Sequence, residues 1–153
     1  MGVIYVDTRE KPHAIKKIIA HFEKLGLEII HQKLDVGDYM ASPDGKISVD
    51  RKQSLAEVAL NVCQQHARFK AECLRAIQNG VKLVILVEHG GRIKSLEDVQ
   101  EWKNPRLQVS PYAVSGQRLY RIMKEFESRY GVEWAFCCKQ VTGKKIIEIL
   151  SRD

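Results

Sequence analysis

Val3-Ile4-Tyr5-Val6 is an unbroken apolar run closed by Asp7, the pattern of a short strand covered on both faces. Pro12 suits a first helical turn, and Ala14, Ile15, Ile18, Ile19, Phe22 and Leu25 recur at three-and-four spacing up to Gly26, which predicts a helix with one buried stripe and a glycine C-cap. From Leu27 to Lys52 the period changes: Leu27 to Ile30 reads as a strand, and two more strands flank Ser42-Pro43-Asp44-Gly45. Ser54-x-x-Glu57 is a capping box opening a long helix, with Leu55, Val58, Ala59, Val62, Phe69, Cys73, Ala76 and Ile77 inward, a bend or break at Gln64-Gln65-His66, and Asn79-Gly80 at its end. Leu83 to Val87 is the most apolar stretch, a central strand, with Glu88-His89-Gly90-Gly91 at its C-terminal end. Ser95-x-x-Asp98 caps a short helix. Residues 103–116 then read as a loop punctuated by Pro105, Pro111 and Gly116, and loops of that length are usually functional or mobile. Leu119, Ile122, Met123, Phe126 and Tyr130 form a further helical stripe ending at Gly131, Val132 to Cys137 a strand, and Ile146 to Leu150 a closing helix. Helices interleaved with short buried strands predict a three-layer α/β domain around a mixed sheet, because the hairpin near Asp44 is antiparallel.

The chain has 153 residues, 44% of them hydrophobic and 29% charged, which suits a single folded domain over 1–153 and excludes a disordered or low-complexity chain. No apolar run approaches the roughly 20 residues of a membrane span, and residues 1–30 lack an apolar signal core. Cys63, Cys73, Cys137 and Cys138 have no C-x-x-C spacing, so neither a zinc knuckle nor a disulfide framework is expected, and the thiols read as reduced in a cytosolic or nuclear compartment. Twenty-five Lys and Arg against 19 Asp and Glu leave a net charge of +6, which favours a polyanionic partner without proving one.

The chemistry follows from the hairpin. Ser42-Pro43-Asp44-Gly45 matches a type I turn with a glycine able to form a bulge, so a three-residue loop sets Ser42 opposite Lys46, Met40 opposite Ser48 and Asp38 opposite Asp50. Opposed residues share a sheet face with Cβ atoms about 5 Å apart, and Lys52 joins that face while Ile47, Val49 and Arg51 point the other way. Two carboxylates so placed repel and need a compensating cation; oxygen ligands suit Mg²⁺ or Mn²⁺, which can orient a water and stabilise phosphoryl charge. Lys52 would hold or deprotonate that water, and Asp7 and Glu10 would complete the cluster if the first strand neighbours the hairpin. Each piece also has a plain structural use: Asp7 or Thr8 as a helix cap, Glu10 on a helix dipole, Asp38 in a turn, Asp50 with Lys52 as a surface ion pair.

Taken together, Val6-Asp7-Thr8-Arg9-Glu10, Val36-Gly37-Asp38-Tyr39 and Val49-Asp50-Arg51-Lys52 resemble the motif series of the XPF-type structure-specific nuclease domain, a branch of the restriction-enzyme-like nucleases with a D…(D/E)-x-K core. The resemblance runs from about residue 3 to residue 150. It implies a restriction-endonuclease-like fold and an Mg²⁺- or Mn²⁺-dependent DNA endonuclease acting near branches, flaps or junctions. Glu10, Asp38 and Asp50 would be metal ligands, Asp7 would support the site, Arg51 would contribute from its motif position, and Lys52 would be the catalytic lysine. Asp50 stands where most of the family has Glu. Ala56 stands where a final Asp is expected, and the nearby Glu57 is explained by the capping box. The chain resembles small stand-alone bacterial or phage members without a helix-hairpin-helix domain, which implies work in the cytoplasm, or in the nucleus if the source is eukaryotic.

With no such appended domain, a DNA grip is expected from Lys103, Arg106, Arg118, Arg121 and Lys124 around the long loop, from Lys139, Lys144 and Lys145, and from backbone donors at Thr142-Gly143; the alternative for each side chain is a solvated charge. His66, His89, Cys63 and Cys73 lack paired ligand spacing and read as packing or surface residues. The resemblance also implies dimers, for which Phe126, Tyr130, Ile146 and Leu150 could supply a face, or else complete the protomer core. Neither a membrane nor a small-molecule cofactor is expected. The rival reading is a catalytically silent DNA-binding or scaffold module of the same fold.

Overall fold

The computed structural model describes residues 1–152; the domain expected over 1–153 is thus seen through Arg152, and Asp153 lies outside the described residues. Among the described residues a six-stranded mixed sheet runs in the order β2-β1-β3-β4-β5-β6, with β1 Val3–Val6, β2 Glu28–His31, β3 Tyr39–Met40, β4 Ile47–Lys52, β5 Lys82–Glu88 and β6 Glu133–Cys137. β1 pairs parallel to β2 and antiparallel to β3, β3 is antiparallel to β4, and β4, β5 and β6 are parallel. This is the expected three-layer α/β domain.

Each sheet face carries its own core. On one face Ile4, Val6, Tyr39, Val49, Val84 and Leu86 pack under α1 (Lys16–Lys24) and α5 (Thr142–Leu150), which touch each other. On the other, Leu83, Ile85, Val87, Trp134 and Phe136 pack under α2 (Leu55–Ala59), α3 (His66–Gln78) and α4 (Gly116–Tyr130). Burying each such aliphatic or aromatic side chain contributes about 1.5–3 kcal/mol before chain entropy is counted, and β5, buried from Leu83 to Glu88, feeds both cores.

The local signals operate much as expected, with several differences. Ser54 Oγ accepts the Glu57 N–H at 3.2 Å and Glu57 Oε1 accepts the Gln53 N–H at 2.7 Å, so the capping box forms. The long helix breaks where expected: α2 runs into a π-helical turn at Leu60–Gln64, closed by the Gln65 N–H on Leu60 O at 2.9 Å, before α3 begins. Pro12–Ala14 forms a 3-10 turn ahead of α1. The expected inward stripes are too wide, since Leu25 is 51% and Ile77 52% exposed. Leu25 sits in the turn before Gly26, and Ile77 shares with Leu74 a side of α3 that nothing covers. The loop after Lys103 contains a 3-10 turn at Pro105–Gln108 capped by Asn104, α4 starts earlier than its apolar stripe because Ser115 caps it, and α5 starts at Thr142 rather than Ile146.

Phe126, Ile146 and Leu150, suggested as a dimer face, are spent inside the protomer: Phe126 lies in one core and Ile146 and Leu150 in the other, while Tyr130 is half-buried against Phe126. The four cysteines are free, as expected. No helix among the described residues is long and apolar enough to cross a membrane.

Candidate metal centre and nucleic-acid interface

The hairpin register is the inferred one. Tyr39 pairs with Val49, which sets Asp38 opposite Asp50. The regular ladder is shorter than expected, however, because the chain leaves it on both sides. Towards the turn, Gly45 N–H closes on Ser42 O at 3.1 Å, but no regular pairing joins Ser42 to Lys46 or Met40 to Ser48; the Ser48 hydroxyl instead donates to Val36 O at 2.6 Å. Towards the site, Gly37 adopts φ 71° at a point where any β-carbon would run into the Ser48 side chain, a place and a conformation that only glycine takes without strain. Beyond that swerve Asp38 N–H donates to Val49 O at 2.7 Å, and Arg51 N–H donates to the Asp38 carboxylate, Oδ2, at 2.8 Å.

Alternation along β4 divides the chemistry between the two sheet faces. Asp50 pairs with Ile85 and Lys52 with Val87, both in the core under α2, α3 and α4. Lys52 Nζ lies 3.5 Å from Asp50 Oδ2 and 5.9 Å from the centre of the Phe69 ring. Arg51 pairs with Leu86 and emerges on the opposite face, where Nε and Nη2 donate to Glu10 at 2.7 and 3.0 Å and Nη1 donates to Glu88 Oε1 at 2.6 Å. Tyr39 donates to Glu10 Oε1 at 2.8 Å and Thr142 to Glu88 Oε2 at 2.6 Å, completing a buried clamp. β1 does neighbour the hairpin, and Asp7 N–H donates to Asp38 O at 2.8 Å. The Asp7 carboxylate is nevertheless fully occupied by Arg9 and by the Leu34 N–H at 2.7 Å. Of the six sequence-selected residues, the fold therefore gathers Asp38, Asp50 and Lys52 in one cleft, ties Glu10 to Arg51, and uses Asp7 to anchor the segment at Leu34.

The cleft is lined by Arg9, Asp38, Asp50, Lys52, Glu57, Leu60, Asn61, Gln65, Arg68, Phe69, Glu72 and Arg75. Burial, reinforced by the charges of Asp50 and Glu10, pushes the Asp38 carboxyl well above the usual range. Burial and Asp50 likewise push Glu72 up to about 9. Asp50 itself is held low: burial opposes its ionisation, but Lys52 and the carboxyls of Glu72 and Asp38 outweigh it. Lys52 is raised, its desolvation overcome by Asp50, Glu72 and Glu57, so it stands in the cleft as a cation. Among the described residues, two buried side-chain oxygens lack any hydrogen-bond partner, Asp50 Oδ2 and Asn61 Oδ1, and both line this cleft.

Glu72, Arg68 and Arg75 were not selected from the sequence. Their spacing of four and three along α3 was a readable polar stripe beside the apolar one of Phe69, Cys73 and Ala76. Of the expected DNA contacts, Arg106 and Arg118 line a second groove with Tyr112 that meets the cleft at Leu60. Lys103 and Arg121 are exposed nearby on the loop and on α4. Lys144 and Lys145 sit on α5, across the sheet from the cleft. The Thr142-Gly143 opening is closed: Thr142 is 1% exposed, and a side chain at Gly143 would press on His21, so its backbone donors are not offered to a ligand.

Fold and site together define a restriction-endonuclease-like three-layer domain with an Asp-x-Lys strand. A family model described as "ERCC4 domain" matches residues 6–142, and the chain belongs to that family. No curated protein matches. XPF from Aeropyrum pernix superposes with a TM-score of 0.67 at 23% identity over 97% of this chain, and its complex with DNA with 0.68 at 22% over 98%. This chain spans 63% and 64% of those two chains' lengths.

Proposed function

We propose that this protein is a divalent-cation-dependent endonuclease that hydrolyses DNA phosphodiester bonds, at flaps, branches or junctions of the kind that arise in repair and recombination, in a bacterial or phage-infected cytoplasm or in a eukaryotic nucleus. The observation that carries the reading is the opposed pair Asp38 and Asp50, with Asp50 Oδ2 buried without a hydrogen bond and Lys52 beside it. As they stand, no three His, Cys, Asp or Glu side chains among the described residues converge to ligate one ion. The orphaned oxygens of Asp50 and Asn61 in a carboxylate cleft nonetheless suit a hard cation that keeps several waters.

Bound there, Mg²⁺ or Mn²⁺ would lower the pKa of a water and offset charge on a phosphoryl oxygen. Asp38 and Asp50 would hold it. Lys52, cationic and 3.5 Å from Asp50, is suited to donate to the attacking water or the scissile phosphate rather than to remove a proton. Arg9, Arg68 and Arg75 rim the cleft where neighbouring phosphates would lie, and Arg106 and Arg118 extend that track along the adjoining groove. Arg51 and Glu10 keep β4 in place from the other face.

The test is a panel of end-labelled duplex, flap, splayed and four-way DNAs incubated with Mg²⁺, Mn²⁺ or EDTA. Cleavage of branched substrates, dependent on metal and reduced at least about 100-fold in Asp38→Asn with DNA binding retained, supports the nuclease. Binding without cleavage under all conditions makes the chain a silent DNA-binding module, and cleavage unaffected by Asp38→Asn moves the chemistry to another site.

A further inference from the structure

One aromatic side chain stays outside both cores. Of the chain's five tyrosines, four phenylalanines and two tryptophans, Tyr112 alone is exposed, at 92%, in the segment that joins β5 to α4. Val109, three residues before it, is 83% exposed, and among the described residues these are the two large apolar side chains most open to water. No aromatic ring among the described residues stacks on Tyr112. A ring held in water forgoes the burial free energy that the other aromatics of this domain gain, which marks a surface kept for a ligand.

The segment is built to hold that ring out. At its entrance the buried Asn104 donates from Nδ2 to Val114 O at 2.9 Å, across the loop, while its Oδ1 accepts the Arg106 N–H at 3.0 Å. Between these points Ser110 N–H donates to Arg106 O at 2.9 Å and Ala113 N–H to Ser110 O at 3.2 Å, so turns flank Pro111 on both sides. The exit is closed at Gly116, where a β-carbon would strike the carbonyl oxygens of Trp102 and Val99. The loop is thus ordered before any ligand arrives, and binding does not have to order it.

The neighbours of the ring indicate its occupant. Tyr112 lines the groove that holds Arg106 and Arg118, and this groove meets the carboxylate cleft at Leu60. A chain lying in the cleft and continuing along the groove meets two guanidinium groups, which suit phosphates, and a flat exposed ring, which suits the face of a base. Bases inside a duplex already stack on one another, so the face is offered only by an unpaired base.

We propose that Tyr112 is a stacking platform for an unpaired base of the DNA, with Arg106 and Arg118 on the adjoining phosphates, so that this segment selects substrates carrying a single-stranded arm beside the cleft. This rests on the nuclease reading above and adds a part of the substrate that is recognised away from the carboxylates.

Fluorescence anisotropy with a splayed-arm DNA and with a fully paired duplex of the same length tests it, in EDTA and, on the chain carrying Asp38→Asn, in Mg²⁺. Tyr112→Ala should weaken binding of the splayed DNA at least about fivefold and leave the duplex within about twofold. Tyr112→Trp should bind the splayed DNA at least as well as the parent. The slope of log affinity against log salt should stay the same in Tyr112→Ala, because no phosphate contact is lost, and so should Tm, because the ring is exposed. With 5-iodouracil in the unpaired arm, ultraviolet crosslinking should fall on the peptide that contains Tyr112. Parent-like splayed-DNA affinity in Tyr112→Ala, an equal loss on splayed and duplex DNA, or a crosslink confined to other peptides overturns the platform while leaving the nuclease reading to its own cleavage test. Self-association that Tyr112→Ala abolishes without any change in DNA affinity also overturns it, giving the ring to a second copy of the chain. A chain that binds neither DNA in either condition overturns both readings.

Discussion

Asp38 and Arg51 are joined backbone to side chain: the Arg51 N–H donates to Asp38 Oδ2 at 2.8 Å, while the Arg51 side chain departs to the other face and clamps Glu10 and Glu88. One residue thus orients a proposed metal ligand with its main chain and locks the sheet with its guanidinium. The strand that presents the acids and the clamp that steadies it cannot be varied separately.

The clamp makes a sharp prediction. Arg51→Met leaves Glu10 and Glu88 facing each other without a cation, and removing one partner of a buried ion pair costs about 3–5 kcal/mol. Urea unfolding should show that loss. Adding Glu88→Gln to Arg51→Met should recover part of it; if the double variant is less stable than the single one, the clamp is not where the energy resides.

The acid cluster predicts a pH dependence. The carboxyls of Asp38 and Glu72 are raised by burial and by neighbouring charge, so the folded protein holds protons that the unfolded chain has lost. Their favourable contribution is full below the ordinary carboxylate range and disappears as pH rises through the folded values, for Glu72 from its usual 4.5 to about 9. In EDTA, unfolding free energy should therefore fall between about pH 5 and 9, and Glu72→Gln should flatten much of that decline. A parent whose stability rises with pH over this window contradicts the assignment of these two acids as the strained ones.

Two glycines with nearly the same φ separate backbone strain from crowding. Gly37→Ala forces a β-carbon into the Ser48 side chain at φ 71°, whereas Gly26→Ala at φ 76° meets nothing within 4 Å. The second should cost about 1 kcal/mol, and the first at least about 2 kcal/mol more, through added displacement of β4. Equal Tm losses in the two variants would show that β4 shifts freely.

The basic residues should divide by layer. Arg106→Ala with Arg118→Ala, on the groove that meets the cleft, should lower DNA affinity at least about tenfold and reduce the slope of log affinity against log salt by about two. Lys144→Ala with Lys145→Ala, across the sheet, should change affinity less than about threefold in the same fluorescence-anisotropy titration. The reverse ranking would put the DNA on the α1–α5 face.

Much of this was legible in the chain because the signals were local and periodic. Ser42-Pro43-Asp44-Gly45 and the alternation through Val49, Asp50 and Arg51 were enough to set Asp38 opposite Asp50, and the polar interruption at Gln64-Gln65-His66 marked the break in the long helix. What stayed hidden depended on which way a side chain turned once two elements met. Glu10 lies near Asp38 in the fold, but only the buried guanidinium of Arg51 decides that it faces away. Thr142-Gly143 looked like an open helix start, and the contact of α5 with His21 on α1 shuts it. Glu72 carried a usable signal, the stripe through Arg68 and Arg75, masked by the apolar stripe of Phe69 and Cys73 next to it.

The π turn at Leu60–Gln64 has a consequence for phase. A helix wound without it would advance about 100° per residue on an uninterrupted screw, so deleting one residue there would turn every later position of α3 by about that angle relative to α2. Phe69 would swing off its core partners Phe126 and Trp134, and Arg68, Glu72 and Arg75 would swing out of the cleft together. The surplus residue in that turn works as a timing mark, setting the clock position at which the second half of the helix meets the strand that bears Asp50.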